Sequence, residues 1–208
     1  MDDQGVLTSA CLERLEWIEH GFGTRDSAIS QYEMASLKQI HSSFCLAVSE
    51  PGCAGEGDAL VTGSAGIALS VRTADCYPIL LADTRTRAIA AIHAGWRGTA
   101  AGIVVEVLAQ MRTLYSTKPR DIIAAIGPGI GECCYQVGEE VARRFGLEHA
   151  GCVDLESTNR QLMLDAGVPD AHIQAMGLCT FCDRRFYSFR REKENAGRMI
   201  SYIRVRRV

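Results

Sequence analysis

Three short segments each end on a side chain that can bind a metal ion or attack a substrate: Lys38-Gln39-Ile40-His41, Thr73-Ala74-Asp75-Cys76 and Ala91-Ile92-His93. In each, the reactive residue closes an apolar, extended-looking run, at the point where a rigid strand hands over to a loop. Two imidazoles and one thiolate suit zinc, and three protein donors leave a fourth tetrahedral position open, as in a catalytic rather than a structural site. The same residues permit another chemistry. Cys76 as a nucleophile with His93 as its base makes a hydrolase acting on an amide, because coordinated and nucleophilic thiolates need similar surroundings. Taken singly, each of the three also reads as an ordinary core side chain, so the argument rests on the repeated setting. Asp75, beside Cys76, is a candidate proton shuttle.

His93 is followed by Ala94-Gly95-Trp96-Arg97-Gly98 and then by helical spacing. Exposed backbone N–H groups at a helix start, with an Arg beside them, form an anion site. Arg25, Arg97, Arg190 and Arg198 are the candidate anion-binding side chains, with Gln39 as a further substrate contact. Residues 184–207 concentrate arginines among Phe186, Tyr187, Phe189 and Tyr202, which reads first as a solvated edge and alternatively as one or two Arg binding an anionic substrate group. Cys179 and Cys182 form a CxxC, but no second CxxC stands at zinc-ribbon spacing. Adjacent Cys133 and Cys134 suit opposite faces of a chain better than one tetrahedral site. Cys179 is therefore expected to pack or to line the substrate site, and a second metal is disfavoured. The zinc deaminase signature is absent, since Ala94-Gly95 follows His93 and no proline precedes Cys179. There is no phosphate-binding P-loop and no dinucleotide fingerprint.

The 208 residues are enough for one domain, residues 1–208, with a sizeable core. Apolar residues make up 47%, yet no run approaches the roughly 20 needed to span a membrane. A net charge of −3 argues against general nucleic-acid binding. The acidic start, Met1-Asp2-Asp3-Gln4, lacks a signal pattern, and the nine cysteines are odd in number and irregular in spacing. Both point to a cytoplasmic protein whose cysteines are thiols, ligands or a nucleophile rather than disulfides. The oligomeric state stays open between monomer and homodimer.

Alternation and short apolar runs predict strands at residues 17–22, 59–62, 67–71, 77–82, 88–93, 122–126, 173–176 and 199–205. Residues 37–48 read as extended chain interrupted near His41-Ser42-Ser43. Helices are expected at residues 98–115, 137–145 and 157–166, the last capped by Ser157 or Thr158 and ended by Gly167. Strands outnumber helices without regular alternation, which favours an α+β layered fold over a doubly wound parallel sheet.

The motifs together resemble the YfiH-like family, also called the laccase-domain or multicopper polyphenol oxidase family. The stretches that carry the resemblance are His20-Gly21-Phe22-Gly23-Thr24-Arg25, Gln39-Ile40-His41-Ser42, Gly57-Asp58-Ala59-Leu60-Val61-Thr62, Thr73-Ala74-Asp75-Cys76-Tyr77-Pro78-Ile79, Ile92-His93-Ala94-Gly95-Trp96-Arg97-Gly98, Ile126-Gly127-Pro128, Tyr135-Gln136-Val137-Gly138, Cys179-Thr180 and Gly197-Arg198. They run in the family's order over nearly the whole chain. The resemblance implies a single domain with mixed β-sheets packed between helices, layered α/β/β/α, and a zinc held by His41, Cys76 and His93. It implies purine nucleoside phosphorylase activity with purine nucleosides and phosphate as substrates, together with adenosine deamination and methylthioadenosine cleavage. Two departures stand out: only residues 26–38 fill a segment that is longer in the family, and Gly129 stands where the family tends to carry Cys. The family's older reading as a copper laccase fails a count. Multicopper chemistry needs many imidazoles, and this chain has five, His20, His41, His93, His149 and His172. A protein that binds a partner without turnover is the remaining class.

Overall fold

The computed structural model describes residues 5–29 and 33–207. The acidic start at residues 1–4 and the middle of the short 26–38 segment lie outside the described residues.

Among the described residues, thirteen strands and six α-helices follow one another. The strands are β1 (Ile18–Phe22), β2 (Met34–Lys38), β3 (Cys45–Ala47), β4 (Gly52–Glu56), β5 (Ala59–Thr62), β6 (Ala68–Thr73), β7 (Tyr77–Asp83), β8 (Ile89–Ala94), β9 (Ile122–Ile126), β10 (Gln136–Val137), β11 (Gly151–Cys152), β12 (Ile173–Ala175) and β13 (Met199–Val205). The helices are α1 (Ala10–Glu13), α2 (Trp96–Ala100), α3 (Ile103–Tyr115), α4 (Glu139–Arg143), α5 (Leu155–Asp165) and α6 (Phe189–Glu192). A six-stranded sheet runs β12-β9-β7-β8-β5-β3 and a five-stranded sheet runs β1-β13-β6-β2-β4. Both are mixed: β7 is antiparallel to β8 and β9, whereas β3 is parallel to β5 and β2 to β6. The α+β class with mixed sheets stands as expected.

Every residue of β7 and β8 is buried, because the six-stranded sheet is covered on both faces. Ile79, Leu81, Ala90 and Ile92 face α3 and α5, packing with Ile103, Val104, Val107, Met111 and Met163. Leu80, Ala82, Ile89 and Ala91 face the five-stranded sheet, where Phe22, Leu69, Val71 and Ile203 meet them. Each such side chain contributes about 1.5–3 kcal/mol by leaving water. This two-sided burial explains why these strands read as continuous apolar runs rather than alternations. Val6, Ile29 and Tyr202 of β13 form a smaller, separate cluster.

Three local expectations change. The helix expected over residues 98–115 is two, α2 and α3, broken at Gly102, whose φ of +74° is left-handed. Val137 pairs in β10, so the next helix begins only at Glu139. Helix α5 is capped by Asp154, whose carboxylate accepts from the Ser157 N–H at 2.9 Å, so Ser157 is inside the first turn rather than the cap. Among the described residues no helix is long and apolar enough to cross a membrane.

Candidate active site

Asp58 stands just before β5 and is fully buried. A buried carboxylate must find partners, and this one finds them on two elements. Its Oδ1 lies 2.7 Å from His93 Nδ1 on β8. The backbone N–H groups of His41, Ile40 and Ser42 donate to its two oxygens at 3.0, 3.3 and 2.5 Å, and the Ser42 hydroxyl adds a fourth at 2.7 Å. One side chain thus fixes the turn after β2, which carries His41, to the strand that carries His93. Because a carboxylate accepts, His93 Nδ1 holds the proton, and Nε2 is the nitrogen turned to Cys76.

Cys76 sits in the turn between β6 and β7 rather than at a strand's outgoing end. His41 has a φ of +58°, a left-handed conformation uncommon outside glycine, held by the Asp58 contacts. The donor atoms of His41, Cys76 and His93 all lie within 4.8 Å of one another. The two imidazole rings meet edge to face, centroids 4.9 Å apart. Gly95 makes room: a Cβ there would stand 2.9 Å from Cys76 Sγ and 3.2 Å from His41 Cδ2. Burial pushes the Cys76 thiol up, but hydrogen bonds from His41 and His93 and their positive charge outweigh it and hold the thiol at about 6. Burial pulls His93 down, yet the Asp58 and Cys76 hydrogen bonds prevail and raise it to about 9. Two imidazoles, one low-pKa thiolate and a carboxylate behind one imidazole fit a tetrahedral metal ion with one open position.

That open side faces a cavity of about 900 Å³. Arg72, Arg97, Arg190 and Arg198 line it, together with Trp96, Tyr135 and Phe189. Arg97 stacks on Trp96 at 4.2 Å, and Arg190 lies 5.3 Å from the Tyr135 ring while donating to the Gln136 carbonyl at 2.8 Å. Among the described residues, none of these four arginines pairs with a carboxylate. Unneutralised guanidinium groups around aromatic plates suit an anion attached to, or beside, a planar ring. Burial, then the negative charge of Cys76, pushes Tyr135 up to about 12, so it stays a phenol and a hydrogen-bond donor.

The structure brings His41, Cys76, His93, Gln39, Asp75, Arg97, Arg190 and Arg198 to this one cavity. Arg25 is not among its lining residues. Its guanidinium lies over Tyr187 at 4.3 Å and bonds to Glu192 at 2.5 Å, so its charge is already matched. Gln39 lines the cavity, but its amide is committed: it donates to the Arg72 carbonyl at 2.8 Å and accepts from the Arg72 N–H at 2.9 Å, extending the β2–β6 pairing. Asp75 has both oxygens engaged, by the Thr180 hydroxyl at 2.7 Å and the Arg190 N–H at 2.6 Å, which makes it a positioning residue. Asp58, Arg72, Trp96, Tyr135 and Phe189 were not singled out for roles from sequence. Asp58 carried a signal: a carboxylate at the mouth of the apolar run 59–61 must be paired when that run is buried.

The chain matches the family model for multi-copper polyphenol oxidoreductase laccase over residues 23–206. It is 41% identical to a purine nucleoside phosphorylase from Deinococcus radiodurans over 181 residues, which cover 82% of this chain and 70% of that protein. It is 38% identical to an adenosine deaminase, RL5, from an unknown prokaryotic organism over 174 residues, 76% of this chain and 66% of that one. The crystal structure of YlmD from Geobacillus stearothermophilus superposes with a TM-score of 0.91 at 26% identity, covering 100% of this chain and 98% of that one. With its motifs, its fold and nearly its whole length matched, the chain belongs to the multi-copper polyphenol oxidoreductase laccase family, also known by its YfiH members.

Proposed function

We propose that this protein is a zinc-dependent purine nucleoside phosphorylase that also deaminates adenosine and cleaves methylthioadenosine. The observation that carries the reading is the meeting of a three-donor site and four unneutralised arginines in one aromatic-walled cavity. His41, Cys76 and His93 hold the ion, and Asp58 orients His93. The ion, when bound, supplies Lewis acidity, which activates water or a substrate oxygen near neutral pH.

In phosphorolysis a phosphate oxygen attacks the sugar carbon as its bond to the purine nitrogen breaks; the bonding electrons leave with the base, which takes up a proton. Arg72, Arg97, Arg190 and Arg198 supply charge for the phosphate. Trp96, Tyr135 and Phe189 offer faces for the purine, and the Tyr135 phenol can donate to it. In deamination water replaces the exocyclic amine and ammonia departs, which needs the same purine placement. Asp75 holds the Cys76 turn and the start of α6 in place around these groups. Nine cysteines, odd in number and irregular in spacing, favour a reducing compartment, and the cytoplasm is the location proposed.

The test is turnover by zinc-loaded protein. Inosine with phosphate is expected to yield hypoxanthine and ribose 1-phosphate, and adenosine to yield inosine, both read by chromatography. If both substrates come back unchanged from protein carrying stoichiometric zinc, the reading is lost. One rival has an observation of its own: Cys76, His93 and Asp58 are hydrogen-bonded in series, the order of a cysteine hydrolase triad. A hydrolase keeps its activity, and its covalent labelling at Cys76 by an amide-directed electrophile, after the metal is stripped.

A further inference from the structure

Four more cysteines converge outside the active-site trio. Cys133 and Cys134 lie in the loop after β9, and Cys179 and Cys182 in the loop after β12. Their sulfurs all lie within 4.8 Å of one another. Cys133 Sγ is 3.6 Å from Cys134 Sγ and 3.9 Å from Cys182 Sγ, and Cys134 Sγ is 3.4 Å from Cys182 Sγ. A disulfide requires roughly 2.05 Å. Four thiolates held tetrahedrally at about 2.3 Å from one zinc ion stand about 3.8 Å apart; the three distances among Cys133, Cys134 and Cys182 bracket that value, and Cys179 Sγ lies within 4.8 Å of all three. Multi-iron clusters hold their thiolates around several metal atoms and need a wider spread.

Adjacency was the sequence argument against this site, and the backbone answers it. The chain does not run extended through Cys133 and Cys134. It turns, with the Cys134 N–H donating to the Gly131 carbonyl at 2.9 Å, so neighbouring side chains reach the same side. Gly131 packs directly against the cluster, where a Cβ would stand 3.3 Å from Cys179 Cβ and 3.4 Å from Cys133 Sγ.

The surroundings are those of a thiolate. Cys179 Sγ accepts the Gly131 N–H at 3.3 Å, and the N–H groups of Phe181 and Cys182 point to it as well. Four sulfurs this close cannot all ionise against one another without a cation between them. A dication removes that conflict and lets all four serve as donors.

We propose that Cys133, Cys134, Cys179 and Cys182 bind a second zinc ion, closed by four protein donors and structural in role. The ion ties the loop after β9 to the loop after β12. Those loops already touch through the Thr180 N–H on the Gly129 carbonyl at 2.9 Å. Both reach the active site: Ile130 lines the cavity and donates its N–H to the Asp75 carbonyl at 2.8 Å, and the Thr180 hydroxyl holds the Asp75 carboxylate. The second zinc therefore fixes the frame of the turn that carries Cys76.

Elemental analysis of the full chain purified with zinc supplied is the first test. Cys76→Ala removes the active-site donor, so that variant is expected to keep one zinc per chain. Adding Cys179→Ser is expected to take it to none. Cobalt loading of Cys76→Ala, which leaves the four thiols intact, guards against misfolding of the double variant. It is expected to give the intense visible bands and sulfur-to-cobalt charge transfer of a tetrahedral four-thiolate ion. A Cys76→Ala chain without zinc, or a cobalt form without those bands, overturns the proposal. So does an intact mass showing one or two disulfides among these cysteines in fresh, reduced protein. Because the readout is metal on the Cys76→Ala background, it stands or falls independently of nucleoside turnover.

Discussion

The two sulfur-bearing clusters of this protein are built to opposite plans. The trio of His41, Cys76 and His93 has three donors, and its fourth side opens on a cavity of about 900 Å³. The cluster of Cys133, Cys134, Cys179 and Cys182 has four donors and no side left over. What stands behind the donors differs as well. The trio is backed by a side chain, Asp58, which fixes one tautomer of His93 and the turn of His41 at once. The four-thiol cluster is backed by the backbone, whose N–H groups aim at Cys179. A site that must take part in chemistry needs an exactable orientation and a vacancy; a site that must only hold two loops together needs neither.

The largest expected effect that sharpens this contrast is on Asp58. Asp58→Ala leaves His93 Nδ1 and the N–H groups of Ile40, His41 and Ser42 without their buried acceptor. Removing one member of a buried pair costs about 3–5 kcal/mol, read by chemical denaturation of the metal-free protein. Asp58→Asn keeps the shape and is expected to weaken metal binding at the trio by roughly 10–100-fold while leaving the four-thiol cluster loaded. Equal metal loss from both clusters would break the comparison.

Gly95→Ala is next. The new methyl group meets Cys76 Sγ at 2.9 Å, and crowding of this kind costs about 1–3 kcal/mol. Turnover and trio metal content are expected to fall together, with the four-thiol metal unchanged. Smaller again is Arg97→Ala, which removes one guanidinium that has no acidic partner among the described residues. A charge-assisted hydrogen bond to phosphate is worth about 1.5–3 kcal/mol. The KM for phosphate is expected to rise roughly 10–150-fold, with deamination of adenosine, which uses no phosphate, nearly unchanged. A matching loss in both reactions would place Arg97 in the fold rather than in anion binding.

The difference between the two clusters also explains what could be read from the sequence. His41, Cys76 and His93 are far apart in the chain, yet each lies beside or within an apolar run, which is visible as pattern, although Cys76 stands in the turn before its run rather than at a strand's end. The strands at residues 59–62, 122–126 and 199–205 were legible to the residue because burial on a sheet writes itself into apolar composition. Strand β4 was not, since Gly52, Cys53, Ala54, Gly55 and Glu56 pair through backbone at an exposed edge and no side chain reports it. The four-thiol cluster failed for a related reason. Its geometry depends on a turn at residues 131–134 and on two loops meeting, and loop meeting leaves no periodicity. Arg25 misled in the opposite direction: its place in a recognisable motif suggested a ligand contact, but Glu192, far away in sequence, takes its charge.

The smallest expected effect is a null on stability, and it separates the trio from an ordinary pair of buried groups. In the metal-free protein Cys76 is lowered from 9.0 to about 6. An acid with a depressed folded-state value adds stability that is present above its unfolded value and is lost as pH falls through the folded one. That contribution fades from about pH 9 down to about pH 6. His93 is raised from 6.5 to about 9, so its contribution is full below 6.5 and is lost as pH rises through about 9. Across the shared window one contribution grows as the other shrinks, since thiolate and imidazolium exchange places as the source of the gain. Unfolding free energy of the chelator-treated protein is therefore expected to stay nearly flat from about pH 6.5 to 9. Reactivity is not flat. Alkylation of Cys76 by iodoacetamide, followed by peptide mass spectrometry, is expected to switch on with a midpoint near 6, while Cys45, pushed up to about 12 by burial and then by the charge of Glu106, stays silent. A Cys76 midpoint at the ordinary thiol value would mean that the two imidazoles do not hold the thiolate, and the trio would lose the feature that sets it apart from the four-thiol cluster.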